Sequence, residues 1–191
     1  MAVPSKYIQS VVDAAKGRPK STDWYRDKIK EFGTPKSLDL IRDGKQATNP
    51  FFGRLNMFFY DPKLKKKLPY YDRFPLVLPL ENYNDGFLGI NLHYLPIPLR
   101  MKLLDRLVDF SNNTKFDEST RLNAKYQDLK RVRLIKPTIK RYLAGKVKSR
   151  FRRVDADEFT VATLLPVQRF SKASASEVWK DSRKKIGRAH V

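Results

Sequence analysis

The sequence predicts an α+β protein, with a small antiparallel β-sheet or partly open barrel, flanking amphipathic helices and extended termini. Apolar residues recur at three- and four-residue spacing before and after the middle of the chain, which is typical of helices. Three short β-prone runs, 55–60, 74–80 and 87–94, lie between them. With 41% hydrophobic residues in a chain of 191, there are enough apolar side chains for a core.

Two short helices are predicted at the start of the chain. Apolar residues at helical spacing from 7 to 15 indicate the first, and a glycine and a proline follow it. The second begins at Ser21 or Thr22, whose hydroxyl can cap the first turn, and stops at Gly33. The Pro-, Gly- and Asn-containing stretch 34–53 predicts an extended connection.

The three central runs are predicted to be antiparallel strands. The pair Asp85 and Gly86 lies between the second and third runs and suits a tight hairpin turn. The second run holds Pro75 and Pro79, which lack the N–H that a sheet requires. We therefore expect this strand at an edge of the sheet.

Two amphipathic helices are predicted after the strands. Pro98 suits the first turn of one, and its apolar stripe ends before Asn112. The other begins near Glu118, and Pro137 kinks or ends it. Residues 138–143 are expected to continue it as a last helical turn.

The last part of the chain is predicted to hold a β-hairpin and a tail. Alternation from 147 to 151 and the β-prone run 160–167 indicate two strands, joined through 155–158. From Ser171 the chain is small, polar and basic, and Trp179 is a candidate anchor for a partner. The predicted units are 1–53, N-terminal helices and an extended connection; 54–170, an α+β core with a basic helix and a β-hairpin; and 171–191, a basic C-terminal tail.

The charge of the chain indicates an anionic partner. Lys and Arg number 40 against 20 Asp and Glu, so the net charge is +20. Between Asp128 and Asp155 lie eleven cations and no carboxylate, and such charge repels itself unless a partner neutralises it. The candidate anion- or partner-binding residues are Lys130, Arg131, Arg133, Lys136, Lys140, Arg141, Lys146, Lys148, Arg150, Arg152 and Arg153.

Part of this basic segment alternates with apolar residues. We therefore expect Lys148, Arg150 and Arg152 on the solvent face of a strand, where they could follow a phosphate backbone. An acidic protein surface would suit them equally well. A basic face that only interacts with water is the third interpretation.

Aromatic residues beside lysines suggest a second possible binding feature. Residues 58–60 are aromatic, the lysine-rich loop 63–67 follows, and Tyr70 and Tyr71 come next. A sheet that presents such rings beside cations can stack unpaired bases. Packing of the same rings in a core is the simpler interpretation.

Composition excludes several kinds of site. The chain has no Cys, which rules out zinc fingers, disulfides, thiol nucleophiles and iron–sulfur clusters. No apolar stretch approaches the roughly 20 residues that cross a bilayer, so we expect no membrane partner and no export. We also expect no cofactor and no small-molecule substrate.

Catalysis finds little support in the sequence. The histidines are His93, inside a predicted strand, and His190, and we expect His93 to be a hydrogen-bonded core residue. Asp155, Asp157 and Glu158 could hold Mg²⁺ in a small nuclease, but they share one turn. We expect no metal site and no enzyme.

Three strings carry a resemblance to a known group of proteins. Residues 68–77 read LPYYDRFPLV, 86–95 read GFLGINLHYL and 178–183 read VWKDSR. Together they resemble small virion proteins of large contractile-tailed bacteriophages of the T-even-like kind, over roughly residues 54–183. The resemblance implies a non-enzymatic structural subunit of the tail, baseplate or neck, made in the host cytoplasm and assembled symmetrically with other virion proteins.

Three functions compete at this point. The leading hypothesis is a structural subunit of a tailed-phage virion that contacts its neighbours through basic surfaces and extended termini. The alternative is a nucleic-acid-binding protein, with DNA as its partner and phosphate contacts from Lys130 to Arg153. The third is a metal-dependent nuclease, which rests on the acidic turn 155–158 alone.

Overall fold

A computed structural model describes residues 6–16, 20–111 and 132–187, and these ranges confirm the α+β class. The helices are α1 (Tyr7–Ala14), α2 (Thr22–Phe32), α3 (Ser37–Arg42), α4 (Ile97–Ser111), α5 (Phe159–Leu164) and α6 (Ala175–Gly187). The strands are β1 (Gln46–Ala47), β2 (Leu55–Met57), β3 (Tyr71–Asp72), β4 (Leu76–Tyr83), β5 (Gly86–Asn91), β6 (Ile139–Leu143), β7 (Phe151–Val154) and β8 (Phe170–Ser171). Within the described ranges, no helix is both long and apolar enough to span a membrane.

The main sheet has six antiparallel strands in the order β1-β7-β2-β4-β5-β6 and does not close into a barrel. Strands β3 and β8 form a separate two-stranded sheet. The predicted hairpin is confirmed, because Tyr83 pairs with Gly86 across the turn between β4 and β5. A Cβ at Gly86 would lie 1.9 Å from the carbonyl oxygen of Tyr142 on β6, so this position has no room for a side chain.

The two faces of the main sheet bury different side chains. One face packs with the helices into an aliphatic core that includes Ile8, Leu76, Ile90 and Val161. The other face carries a smaller, mostly aromatic cluster of Phe58, Tyr60, Val77, Phe87, Tyr142 and Phe151. Phe58 is fully buried at its centre, 4.8 Å from Phe151 between ring centroids. Its ring therefore belongs to the core and is not available to stack bases.

The elements with local signals form as predicted. Helix α1 begins at Tyr7 and helix α4 ends at Ser111, before Asn112. Helix α2 is capped by Ser21, whose hydroxyl accepts a 3.2 Å hydrogen bond from the Trp24 N–H, and it ends at Gly33 with φ 79°.

The prediction that β4 is an edge strand is wrong, because β4 lies between β2 and β5. Strand β2 is only three residues long and pairs with Leu76 and Val77, so Pro79 lies beyond its reach. On the other side, the register with β5 shifts between Pro79 and Glu81. Proline is tolerated at this position because β2 has already ended on one side and the pairing with β5 becomes irregular on the other.

Several expectations outside the central strands are also wrong. The stretch 34–53 holds α3 and β1 rather than an extended connection, and 138–143 contains strand β6 instead of a helical turn. The run 160–167 contains the buried helix α5, and the hairpin expected there does not form because β7 pairs with β1 and β2. Most of the helix predicted from Glu118 to Pro137 lies outside the described residues, and its described end holds a 3₁₀ turn at Arg133–Ile135.

The predicted C-terminal tail is mostly helix. Helix α6 buries Val178 and Ser182 against the rest of the chain. The Trp179 indole N–H donates a 2.9 Å hydrogen bond to the His93 carbonyl, and the Arg100 guanidinium lies 5.6 Å from its ring. Helix α6 is therefore held in place by contacts within the chain. A role for Trp179 toward a partner stays a prediction.

Candidate nucleic-acid interface

The eleven predicted binding cations do not form one surface. Lys130 and Arg131 lie outside the described residues, and the other nine are spread over a 3₁₀ turn, β6, β7 and the loop between those strands. Exposed side chains within this set include Arg133, Lys136, Lys148 and Arg150. The cations that could meet an anion must therefore be found from their surroundings rather than from their order in the sequence.

The expected solvent-facing alternation is wrong at Arg152. Its side chain is 1% exposed and its Nε donates a 2.8 Å hydrogen bond to the Asp43 carbonyl. The Arg152 guanidinium also forms a 3.0 Å ion pair with the Glu158 carboxylate. Arg152 faces inward because β7 lies between β1 and β2 in the sheet and packs against helix α3.

Two carboxylates of the acidic turn 155–158 are also paired with groups inside the fold. Asp155 pairs with Arg153 at 2.6 Å, and Glu158 is bound by Arg152 and by the Asp155 N–H at 2.9 Å. Within the described ranges, no group of three or more His, Asp or Glu side chains is arranged to hold a metal ion. Glu158 is thus a structural partner for a buried guanidinium, and Asp155 balances Arg153.

A cavity of about 610 Å³ opens between the loop after β2, strand β6 and helix α6. Five tyrosines from separate parts of the chain line it, and we call it the tyrosine pocket: Tyr60, Tyr70, Tyr71, Tyr94 and Tyr142. Four cations lie among them: Lys63, Lys140, Arg141 and Lys185. Asp72 is the one carboxylate among these lining residues, and it is buried.

The deeper tyrosines are held rigidly. Tyr94 and Tyr142 are 5% and 3% exposed, and burial raises the pKa of both phenols, so both stay neutral. The Tyr142 hydroxyl accepts a 3.1 Å hydrogen bond from Asn91, and the Tyr60 hydroxyl accepts one of 3.1 Å from the Leu143 N–H. These rings form a fixed floor.

The walls of the pocket are more open. Tyr70 and Tyr71 are half-buried, and the Tyr70 hydroxyl donates a hydrogen bond to Asp181 on α6. The loop that forms one rim is fixed by Lys172, whose ammonium donates to the carbonyls of Lys66 and Leu68 at 3.0 and 2.9 Å. The rings of Tyr70 and Tyr71 can therefore be reached from solvent, and the loop beside them is held in position by hydrogen bonds within the protein.

Lys140 is the most perturbed cation of the pocket. Its Nζ lies 4.0 Å from the centroid of the Tyr94 ring. Burial, with the nearby charge of Lys185, lowers the pKa of Lys140 to about 8, and Asp181 acts in the opposite direction. The ammonium forms no ion pair within the described residues, whereas Lys185 pairs with Asp181 at 2.9 Å. Lys140 is thus a cation without a carboxylate at the floor of an aromatic cavity.

Two further depressions continue the pocket across the surface. One, of about 480 Å³, shares Tyr60 and Tyr71 with the tyrosine pocket. The other, of about 440 Å³, shares Arg73 with the second. Four exposed cations line this path, Lys65, Arg73, Lys148 and Arg169, and Lys65 is paired with Asp61 of the same depression at 3.0 Å. We call the path the basic groove, after the other three cations: Arg73, Lys148 and Arg169. None of these three cations forms an ion pair with a carboxylate of the described residues.

A buried polar network centred on Asp72 connects the tyrosine pocket to the basic groove. The Asp72 carboxylate accepts hydrogen bonds from the N–H groups of Phe74 and Arg169, at 3.0 and 3.1 Å, and from His93 Nδ1 at 2.8 Å. Among the described residues His93 Nε2 has no hydrogen-bond partner, and burial lowers the pKa of His93, so the ring is neutral at pH 7. The expectation that His93 is a hydrogen-bonded core residue agrees with this geometry.

Sequence reasoning found part of this site. Lys63, Tyr70 and Tyr71 stand close together in the chain, and base stacking was the alternative to core packing in their interpretation. Lys140, Arg141 and Lys148 belong to the predicted basic segment. It missed four residues that only the fold brings to the site: Arg73, Tyr94, Arg169 and Lys185. No local signal marks them, because each comes from a different element.

Fixed aromatic rings beside cations without ion pairs are the surface features of proteins that bind nucleic acid through its backbone and unpaired bases. The chain belongs to the phage T4 terminal DNA protecting protein family, whose profile matches residues 5–182. No curated protein and no solved structure matches the chain.

The family corrects the leading hypothesis. A phage protein of the T4-like kind is confirmed, but the prediction of a structural subunit of the tail, baseplate or neck is wrong, because the family protects DNA ends. The alternative, a nucleic-acid-binding protein with DNA as its partner, is the one that the family supports. The resemblance thus indicated the right kind of phage and the wrong component.

Proposed function

We propose that the protein covers the ends of phage DNA and keeps exonucleases from reaching them. Membership of residues 5–182 in a family that protects terminal DNA carries this proposal. The net charge of +20 supports it, since cations that neutralise phosphates supply most of the affinity for DNA. The basic groove offers such cations, because Arg73, Lys148 and Arg169 are exposed and not paired with any carboxylate in the described part of the chain.

We also propose that the protein acts by contact and is not an enzyme. Its acidic turn supports this, because Asp155 and Glu158 are bound by Arg153 and Arg152 and are not free to hold Mg²⁺. Incubation with DNA and Mg²⁺ should leave the DNA intact. Cleavage that disappears in an Asp157→Ala variant would contradict the proposal.

An end can stay covered only while the protein remains with it. We therefore propose that the chain, made in the host cytoplasm, accompanies the DNA into the particle. Protease-treated particles should retain it, and particles that have released their DNA should have lost it. Its absence from intact particles would contradict this location.

The central test is a nuclease protection assay with the purified full chain. A linear duplex is offered to an exonuclease, and the same duplex is offered to an endonuclease that cuts once near its middle. We expect the protein to delay the exonuclease and to leave the central cut unaffected, because only the ends are covered. Equal inhibition of both nucleases would mean general coating of DNA, and no delay of the exonuclease would refute end protection.

A further inference from the structure

We propose that the tyrosine pocket receives the unpaired terminal nucleotide of a DNA strand, with its base against Tyr70 and Tyr71 and its phosphate near Lys63 and Lys140. This inference rests on the proposed function and adds the part of the DNA that is recognised. The basic groove would then hold the backbone that leads away from the end.

The size of the pocket fits one nucleotide. Its volume of about 610 Å³ lies within the roughly 300–1,000 Å³ of pockets that hold small ligands. A double helix is far too wide to enter it. A base can therefore reach the floor only after it has left the stack, and this is easiest where a strand ends.

The walls of the tyrosine pocket provide aromatic rings on which a base can stack. Tyr70 and Tyr71 are half-buried, so each shows part of its ring to the cavity while the remainder is held by the protein. Leu64, 56% exposed on the same rim, adds an apolar contact. Stacking on tyrosine is tolerant of base identity because every base has an aromatic face. We therefore expect little preference for the terminal sequence.

The charge inside the pocket is positive where a phosphate would lie. Lys63 is exposed at the rim, Lys140 lies over the Tyr94 ring, and neither forms an ion pair within the described residues. Asp72, the carboxylate among the lining residues, is turned to His93 and to backbone N–H groups. Arg141 and Lys185 are paired with Asp85 and Asp181 and contribute less.

The continuity of the surface supports the same arrangement. Tyr71 lines both the tyrosine pocket and the adjoining depression, and Arg73 lines that depression and the next. A strand whose last base lies in the pocket would therefore pass Lys148, Arg73 and then Arg169. Pocket and groove together distinguish an end from internal DNA, which offers a backbone but no free terminal base.

The experiment uses the full chain and a duplex whose terminal base is 2-aminopurine, with a second duplex carrying the same base at its centre. We expect the fluorescence of the terminal base to fall on binding, because stacking on tyrosine quenches it, and the central base to be unaffected. Tyr71→Leu should abolish the quenching and weaken binding by roughly 5- to 150-fold, the range for loss of one stacked base. The matched control is Tyr25→Leu, at a half-buried tyrosine on α2 outside the pocket.

A second set of duplexes tests the nucleotide directly. An abasic terminal residue should weaken binding as much as Tyr71→Leu does, and the two changes together should add little. Duplexes with and without a 5′-phosphate, and with a short 5′ or 3′ overhang, show which strand enters the pocket and whether the terminal phosphate is read. Unquenched terminal 2-aminopurine together with full affinity for an abasic end would overturn the pocket assignment.

The failure of this inference differs from the failure of the proposed function. If exonuclease protection persists while Tyr71→Leu and the abasic end have no effect, the protein protects ends without the pocket. If protection is absent while a terminal base is still quenched, the pocket binds a nucleotide but end protection is refuted. Folding of each variant is verified by circular dichroism, and binding of Tyr25→Leu must equal that of the unsubstituted chain.

Discussion

Removing Arg73, Lys148 and Arg169 from the basic groove should change the salt dependence of DNA binding by a calculable amount. Each cation that neutralises a phosphate contributes about −0.9 to the slope of log affinity against log salt concentration. Arg73, Lys148 and Arg169 are exposed and form no ion pair within the described residues, so each is free to make such a contact. The variant Arg73→Gln/Lys148→Gln/Arg169→Gln should have a slope smaller by about 2.7. Between 50 and 200 mM salt the unsubstituted chain would then lose about 40-fold more affinity than this variant.

Fluorescence anisotropy with a labelled linear duplex over this salt range measures the slope. The matched control is Arg42→Gln/Arg106→Gln/Lys45→Gln, which removes the same charge from exposed positions outside the groove and the pocket. Both variants have a net charge of +17 by subtraction of three cations from +20. If the control reduces the slope as much as the groove variant does, DNA responds to net charge and not to the groove, and the assignment is refuted.

Three further predictions concern charged groups inside the fold. Lys140 loses its charge above a pKa of about 8, so DNA affinity should fall as pH rises from 7 to 9. The fall should reach at most about tenfold per pH unit above that pKa. Lys140→Arg should make DNA affinity less dependent on pH over this range. Glu158→Gln leaves the Arg152 guanidinium buried without its anion and should lower the free energy of unfolding in urea by about 3–5 kcal/mol. The pKa of His93 is lowered from 6.5, so below pH 6.5 the unfolded chain binds a proton that the folded chain does not. Stability should therefore fall toward acid by up to about 1.4 kcal/mol per pH unit, and His93→Gln should remove this part of the decline.

Each of these predictions has an outcome that contradicts it. A pH profile of binding that is the same in Lys140→Arg would show that Lys140 does not meet DNA. Unfolding of Glu158→Gln at the same urea concentration as the unsubstituted chain would mean that Arg152 finds another partner. An acid decline between pH 6.5 and 5 that survives His93→Gln would refute the assignment to His93, because carboxyls with lowered pKa values, such as Asp72 and Asp181, lose stability only near or below their ordinary value of 3.8.

The elements that could be predicted from sequence are those whose signals are local. Helix α2 has its cap at Ser21 and its stop at Gly33, and the β4–β5 hairpin has its turn beside Gly86, so a few neighbouring residues suffice. Strand β6 was missed because its extended conformation depends on pairing with β5, which lies far earlier in the chain. Ile139 of β6, for example, pairs with Ile90 of β5. Helix α5 was missed because a short apolar run that is buried on all sides has no periodicity to distinguish helix from strand.

The site was predictable only in its parts. Lys140 could be named as a cation and Tyr70 as an aromatic residue from the sequence, but their meeting depends on β6 and the loop before β3 lying side by side. Arg152 shows the opposite error, because it belongs to the basic segment and yet supports the core from within. Charge in a sequence thus indicates the kind of partner, and only burial and pairing separate the cations that bind it from those that hold the fold.

A net charge of +20 attracts DNA of any sequence, at its ends and along its length alike, so cations alone cannot explain protection of ends. Preference for an end requires a contact that internal DNA cannot make, and the tyrosine pocket offers one because it accepts a base only outside the stack. Substitutions in the tyrosine pocket and in the basic groove should therefore have different effects on DNA binding. Tyr71→Leu should reduce the ratio of affinities for open and hairpin-closed duplexes while the salt slope is unchanged. The groove variant should reduce the slope and leave the ratio unchanged, and a single variant that alters both to the same extent would show that end recognition and phosphate binding are one surface.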